Sequence, residues 1–179
     1  MGKLPLVVAM LVTTTAGIVT VAGSQAQAEQ AAPAPAPARA AVATFVADLR
    51  GSNEVPPADP DGRARFVMRI KGDQVMFAFA WRNLATVTAA HIHEAAAGAN
   101  GPIRVPFFGA LPASLTAVAG TVTITDQALL DAIVANPAGF YANMHSTEFP
   151  AGAVRGQLRR LGRGADLLPD SELLTADLG

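Results

Sequence analysis

The chain has 179 residues, a formal net charge of −1, three histidines and no cysteine. A charge this close to zero excludes a strong electrostatic case for nucleic acid or an anionic membrane as a partner. The absence of cysteine excludes disulfides and thiolate ligands, so a metal site would need nitrogen or oxygen donors, with at most a methionine thioether.

The first 41 residues have the features of a targeting segment and a linker. In residues 1–28, Lys3 precedes a long apolar run, and residues 26–28 form a small-x-small cleavage site. The alternative to a cleaved signal peptide is a membrane anchor that stays attached, although four threonines make the run less apolar. Residues 29–41 repeat alanine and proline, which predicts a semi-rigid linker. We expect cleavage after Ala28 and a protein that is secreted, periplasmic or associated with the cell surface, with no later segment long enough to span a bilayer.

Alternating apolar and polar residues predict a β domain over residues 42–161. The clearest strand runs from Gly62 to Lys71, where apolar residues alternate with basic residues that we expect on a solvated surface. Gly72-Asp73 then predicts a hairpin turn. Residues 153–161 are predicted as the final strand of the domain.

Three further features complete the fold prediction. Pro106 interrupts an apolar strand, which indicates a sheet edge or a bulge. A helix is predicted over Gln127–Ala135, with Thr125 or Asp126 as its N-cap. The pattern indicates an all-β fold, an antiparallel Greek-key sandwich or barrel of about eight strands with one short helix. Residues 162–179 are polar and acidic, and we expect a weakly ordered tail.

Two histidines lie on one predicted strand, residues 87–94. Side chains alternate along a strand, so His91 and His93 are expected on the same face as Val87, and Glu94 on the other. His145 lies on a second predicted strand, residues 140–146, whose matching face also carries Tyr141 and Asn143. Because neighbouring strands lie about 4.8 Å apart, His145 can bring a third imidazole to the same patch.

Three converging imidazoles indicate a site for Zn or Cu, and we expect their nitrogens to approach within about 4 Å of one another. Glu94 is a poor ligand on the opposite face, whereas Glu148, in the turn after His145, is a further candidate. The alternative hypothesis is structural: the histidines bond to neighbouring polar groups and fix loops to the barrel. The candidate neighbours are Asn53, Glu54, Asn143, Arg155 and Gln157.

Three segments of the sequence form a recognisable set of motifs. They are Asn-Glu-Val-Pro-Pro at residues 53–57, Ala-His-Ile-His-Glu at 90–94 with Gly-Pro at 101–102, and the stretch 141–158 that ends in Val-Arg-Gly-Gln-Leu. In this order they resemble the CHRD domain. Ala95 and Ala153 depart from the usual glycine and acidic residue, and neither departure affects a histidine. The resemblance implies a secreted β domain without a defined activity. We therefore expect a binding module for an extracellular protein or glycan.

The His-x-His-Glu strand also resembles copper/zinc superoxide dismutases. Those enzymes need additional histidines and a disulfide, so three histidines and no cysteine exclude their dinuclear site. A metal-dependent redox or hydrolytic enzyme is the third hypothesis. It ranks below the binding module because no second catalytic group stands near the histidines in the sequence.

Overall fold

Residues that alternate between apolar and polar side chains build the strands of this protein, since successive side chains of a strand point to opposite faces. The computed structural model describes residues 42–162. Its strands are β1 (Val42–Arg50), β2 (Arg63–Lys71), β3 (Gln74–Arg82), β4 (Val87–Glu94), β5 (Ile103–Phe108), β6 (Ala117–Thr123), β7 (Phe140–Ser146), β8 (Val154–Gln157) and β9 (Arg159–Arg160). A single α-helix within these residues, α1, spans Gln127–Ala135, and two short 3-10 helices span Gly51–Asn53 and Pro137–Gly139.

All the strands belong to one antiparallel sheet in the order β5-β4-β7-β8-β1-β2-β3-β6, with β9 added beside β1. Several neighbours are distant in sequence, such as β4 with β7 and β8 with β1, as in Greek-key folds. The sheet curls until its ends approach each other. Phe107 of edge strand β5 lies 4.6 Å from Phe77 of β3, measured between ring centroids. The predicted all-β class is confirmed.

The inner face of the curled sheet holds one continuous apolar core. Phe45, Phe66, Phe79, Ile92 and Met144 come from five different strands, and each is at most 1 % exposed. Burying an apolar side chain of this size stabilises the fold by roughly 1.5–3 kcal/mol. Because the core uses only inward-facing positions, the outer face is free to carry polar side chains.

Local predictions agree with the structure at three places. Gly72 has a φ of +62° in the β2–β3 turn, a conformation that favours glycine. Asp126 caps α1 by accepting a hydrogen bond from the Leu129 backbone N–H at 3.0 Å. Pro106 lies in β5, which is an edge strand.

Two local predictions are wrong. Val87 packs in the core with Ala90 and Ile92 instead of sharing the histidine face, because a register shift between Val87 and Ala89 inverts the alternation. The predicted final strand is also divided. The Leu158 backbone N–H bonds to the Phe140 carbonyl of β7, and the chain then switches to pair with β1 as β9.

The predictions for residues 1–28, 29–41 and 163–179 lie outside the described residues. Within residues 42–162, no helix is long and apolar enough to cross a membrane.

Candidate metal centre

The outer face of β4, β7 and β8 carries a cluster of polar side chains. The inner-facing neighbours Ile92, Ala142 and Val154 pack in the core, which turns the alternate residues outward. The outward residues are His91 and His93 from β4, Tyr141, Asn143 and His145 from β7, and Arg155 and Gln157 from β8. Strand pairing places His91 opposite Asn143, and Asn143 opposite Arg155.

The structure brings all three histidines together. Each offers a ring nitrogen, and the three nitrogens lie within 4.8 Å of one another. His91 Nδ1 lies 3.2 Å from His145 Nε2. The three side chains are neither fully buried nor fully exposed.

Two backbone carbonyls determine which nitrogen of two rings faces the cluster. His93 Nδ1 donates to the Gly101 carbonyl at 2.9 Å, and His145 Nδ1 donates to the Pro150 carbonyl at 2.9 Å. A carbonyl oxygen only accepts, so each Nδ1 carries the proton and each neutral ring keeps a lone pair on Nε2. His93 Nε2 is buried and has no hydrogen-bond partner among the described residues.

This donor set could hold a metal ion. Tetrahedral coordination with bonds of about 2.0–2.1 Å places ligand nitrogens about 3.3 Å apart. The pair formed by His91 and His145 already has this separation. The three ring nitrogens lie up to 4.8 Å apart, which exceeds the separation of about 4 Å that we expected. To bind one ion, the most distant nitrogen would have to move by at most about 1.5 Å. Carbonyl bonds to the distal ring nitrogen are the usual way in which proteins orient metal-binding histidines.

The surroundings keep two of the rings neutral. Burial, together with the nearby His145 and His93, lowers the pKa of His91 to about 4. Burial also lowers the pKa of His93, against the raising effect of its bond to Gly101. A neutral imidazole is the form that binds metal, because the lone pair is not occupied by a proton.

Tyr141 supports the cluster, a role that was not predicted although the strand pattern placed it on this face. Its ring stacks on His93, with centroids 4.9 Å apart and an interplanar angle of 7°. The Arg155 guanidinium carbon lies 4.4 Å from the same ring centroid. Tyr141 is therefore held between side chains from the two neighbouring strands.

Arg155 ties two loops to the sheet. Its side chain is 1 % exposed and donates to the carbonyls of Asn53 and Ala99 at 2.7 and 3.1 Å, and to Asn100 Oδ1 at 2.9 Å. Asn53 Nδ2 donates in return to the Arg155 carbonyl at 3.0 Å. These bonds fix the loop after β1 and the loop after β4 over the outer face.

Glu54 belongs to the loop after β1 and forms no hydrogen bond with a histidine within the described residues. It is 7 % exposed and accepts a bond from Asn143 Nδ2. Burial raises the pKa of Glu54 to about 7, although the Arg155 charge and the Asn143 bond both lower it. Gly152 closes the site with φ +143°, where an added Cβ would lie 3.0 Å from Asn143 Nδ2 and 3.1 Å from the Glu54 carboxyl.

The remaining predicted residues lie at the margin of the site. Gln157 Nε2 lies at hydrogen-bond distance from the carbonyls of Ala95 and Ala138. Glu94 pairs with Arg104, away from the histidine rings. Glu148 is exposed in the turn after β7 and does not belong to the histidine group.

The comparison with protein families identifies the domain. The sequence model of the CHRD domain matches residues 45–158, more than half of the chain and a range that includes all three histidines. No curated protein and no solved structure matches the chain. The matched range runs from β1 through β8 and covers both loops that Arg155 holds. The chain therefore belongs to the CHRD domain family.

Proposed function

We propose that this protein is a secreted binding module in which the three histidines hold one Zn or Cu ion. The observation that carries the proposal is His93 Nε2, a buried lone pair without a partner among the described residues, beside two imidazole nitrogens 3.2 Å apart. Leaving a buried polar atom unpaired costs about 1–3 kcal/mol, and coordination of a metal would remove that cost.

Some residues of the chain would bind the ion, and others would orient the histidine rings. His91 Nδ1, His93 Nε2 and His145 Nε2 would hold the ion, and the carbonyls of Gly101 and Pro150 would orient two of the rings. Three nitrogen donors leave one position of a tetrahedral ion for a group from outside the domain. We infer that an extracellular protein or glycan supplies that group.

Secretion is part of the proposal. It is supported by the features of residues 1–28 and by the membership of the CHRD family. A secreted location would bring the domain to extracellular ligands.

A second candidate function is an interaction module in which the histidines are structural. The observation that favours it is that His93 and His145 each bond to a loop carbonyl, of Gly101 and Pro150 respectively. This candidate predicts a stable domain that has no affinity for metal.

Elemental analysis of tag-free protein distinguishes the two candidates. We expect close to one Zn or Cu per chain, and calorimetric titration of chelator-treated protein should return the same stoichiometry. His93→Ala should lose this binding. Glu94→Gln is the matched control because Glu94 is adjacent in sequence but pairs with Arg104 on β5. A chain without metal, and with unchanged melting on addition of Zn or Cu, would contradict the proposal.

A further inference from the structure

Three arginines lie directly opposite one another on neighbouring strands of the outer face. They are on β1, β2 and β3, away from the strands that carry the histidines. Arg50 of β1 pairs with Arg63 of β2, and Arg63 pairs with Arg82 of β3. We call these three residues the arginine row. They lie where β1 and β3 end and β2 begins.

The arginine row concentrates positive charge that no carboxylate of residues 42–162 neutralises through an ion pair. Like charges directly opposite each other on a sheet are destabilising. Within residues 42–162, none of the three forms an ion pair with a carboxylate, and Arg63 donates only to the carbonyls of Gly62 and Pro60. The charge is local, because the whole chain has a net charge of −1.

The row lines a groove of about 480 Å³. Among the described residues that line it, Asp48 is the one carboxylate. Asp48 already accepts from Arg65 at 3.1 Å and lies 3.5 Å from Arg159. The groove therefore offers guanidinium groups to a ligand from outside the domain.

We propose that the arginine row binds a polysaccharide chain that carries carboxylate or sulfate groups. Guanidinium groups bind such planar or tetrahedral oxyanions through paired N–H donors. The three strands span about 10 Å, so the row fits several anionic groups on one chain better than a single small anion. This inference goes beyond the metal site and does not depend on it.

Two features favour a glycan over other polyanions and over proteins. Trp81, the aromatic residue that lines the groove, is only 8 % exposed, so it does not offer the stacking surface that single-stranded nucleic acids use. The large exposed apolar residues of residues 42–162 are Val55, Ile103 and Leu115, and none of them lines the groove. A protein interface normally has an apolar centre.

Binding of the full mature chain to dextran sulfate, with uncharged dextran as the matched polymer, tests the proposal. The measurement is made with a chelator present, so that failure of the metal proposal does not affect it. Polygalacturonate, a carboxylate polymer, separates sulfate from carboxylate recognition. We expect binding to at least one charged polymer and no binding to dextran. The affinity should fall as the salt concentration rises, because binding releases the cations that are condensed on the charged polymer.

The double variant Arg50→Gln/Arg82→Gln should bind about tenfold or more weakly and lower the slope of affinity against salt by about two. The control variant Lys71→Gln/Arg104→Gln removes the same charge outside the groove and should stay within about twofold of wild type. All four residues are exposed, so melting curves should show that both variants fold.

Three results would overturn the proposal. They are absence of binding to both charged polymers at low salt, an equal loss of affinity in the control variant, and binding to single-stranded DNA as tight as to the better charged polymer. The last result would assign the groove to nucleic acid.

Discussion

Arg155 and Arg50 lie directly opposite each other on neighbouring strands, yet their surroundings differ. Arg155 is 1 % exposed and bonds to three oxygen atoms of two loops. Arg50 is exposed at the groove of the arginine row. The strands place both residues equivalently, so the loops that cover β7 and β8 decide which guanidinium becomes structural.

The same contrast divides the whole outer face into a covered histidine region and an open arginine region. In the covered region, buried polar atoms remain without partners within the described residues, among them His93 Nε2, Asn143 Oδ1 and Arg155 Nη2. In the open region, solvent screens the like charges of the arginine row. The covered region therefore suits a metal ion held by lone pairs, and the open region suits an anionic polymer.

Replacing Arg155 and Arg50 one at a time gives the largest expected difference in the free energy of unfolding. Arg155→Ala should lower the free energy of unfolding by about 3–5 kcal/mol, because it leaves buried loop oxygens without donors. Arg50→Ala should change it by no more than about 0.5 kcal/mol. Urea denaturation measures both, and similar losses in the two variants would show that the loop cover does not separate the regions.

Metal addition should stabilise the protein through the covered region alone. With Zn or Cu at 100 times its dissociation constant, we expect about 2.7 kcal/mol of added stability, seen as a rise in melting temperature. His145→Ala should lose the rise and Arg50→Ala should keep it. A rise that survives in His145→Ala would place the metal elsewhere.

A buried acid in the covered region should make stability depend on pH. Folding raises the pKa of Glu54 from 4.5 to about 7. Between these values the folded protein holds a proton that the unfolded chain has released, so the contribution of Glu54 to stability falls as pH rises from about 4.5 to 7.

The variant Glu54→Gln isolates this effect in chelator-treated protein. Wild type should lose roughly 3 kcal/mol of stability relative to Glu54→Gln as the pH is raised from 4.5 to 8. The lowered pKa of His91 acts in the opposite direction, since acidification protonates the unfolded chain first, but it cancels in this difference. A difference that does not change with pH would mean that folding does not raise the pKa of Glu54.

The smallest effect is expected at the exposed margin of the histidine region. Glu94→Gln breaks the pair with Arg104, whose side chains are 45 % and 35 % exposed respectively. Exposed ion pairs contribute at most about 1 kcal/mol and weaken with salt. Denaturation of Glu94→Gln and wild type should therefore differ by less than about 1 kcal/mol and converge at about 1 M salt. A larger loss would assign Glu94 a role in the covered network.

Local patterns in the chain were enough to predict much of the fold and the faces of the main side chains. The period of two along a strand puts His91 and His93 on one face, and it puts Tyr141 and His145 together on another strand. The turn at Gly72, the cap at Asp126 and the edge proline likewise follow from the chemistry of single residues. The prediction for Val87 was wrong because a bulge between Val87 and Ala89 turns its side chain to the inner face of the sheet.

What the tertiary structure decided is which strands are neighbours and what covers them. The pairing of β4 with β7 brings His145 to His91 across 54 positions, and the pairing of β1 with β2 aligns Arg50 with Arg63. Arg155 is buried because loops from elsewhere in the chain close over it, and Glu54 is buried where its own loop meets Asn143 of β7. A local pattern determines the direction of a side chain, whereas the neighbours it meets depend on contacts that form only when the whole sheet closes.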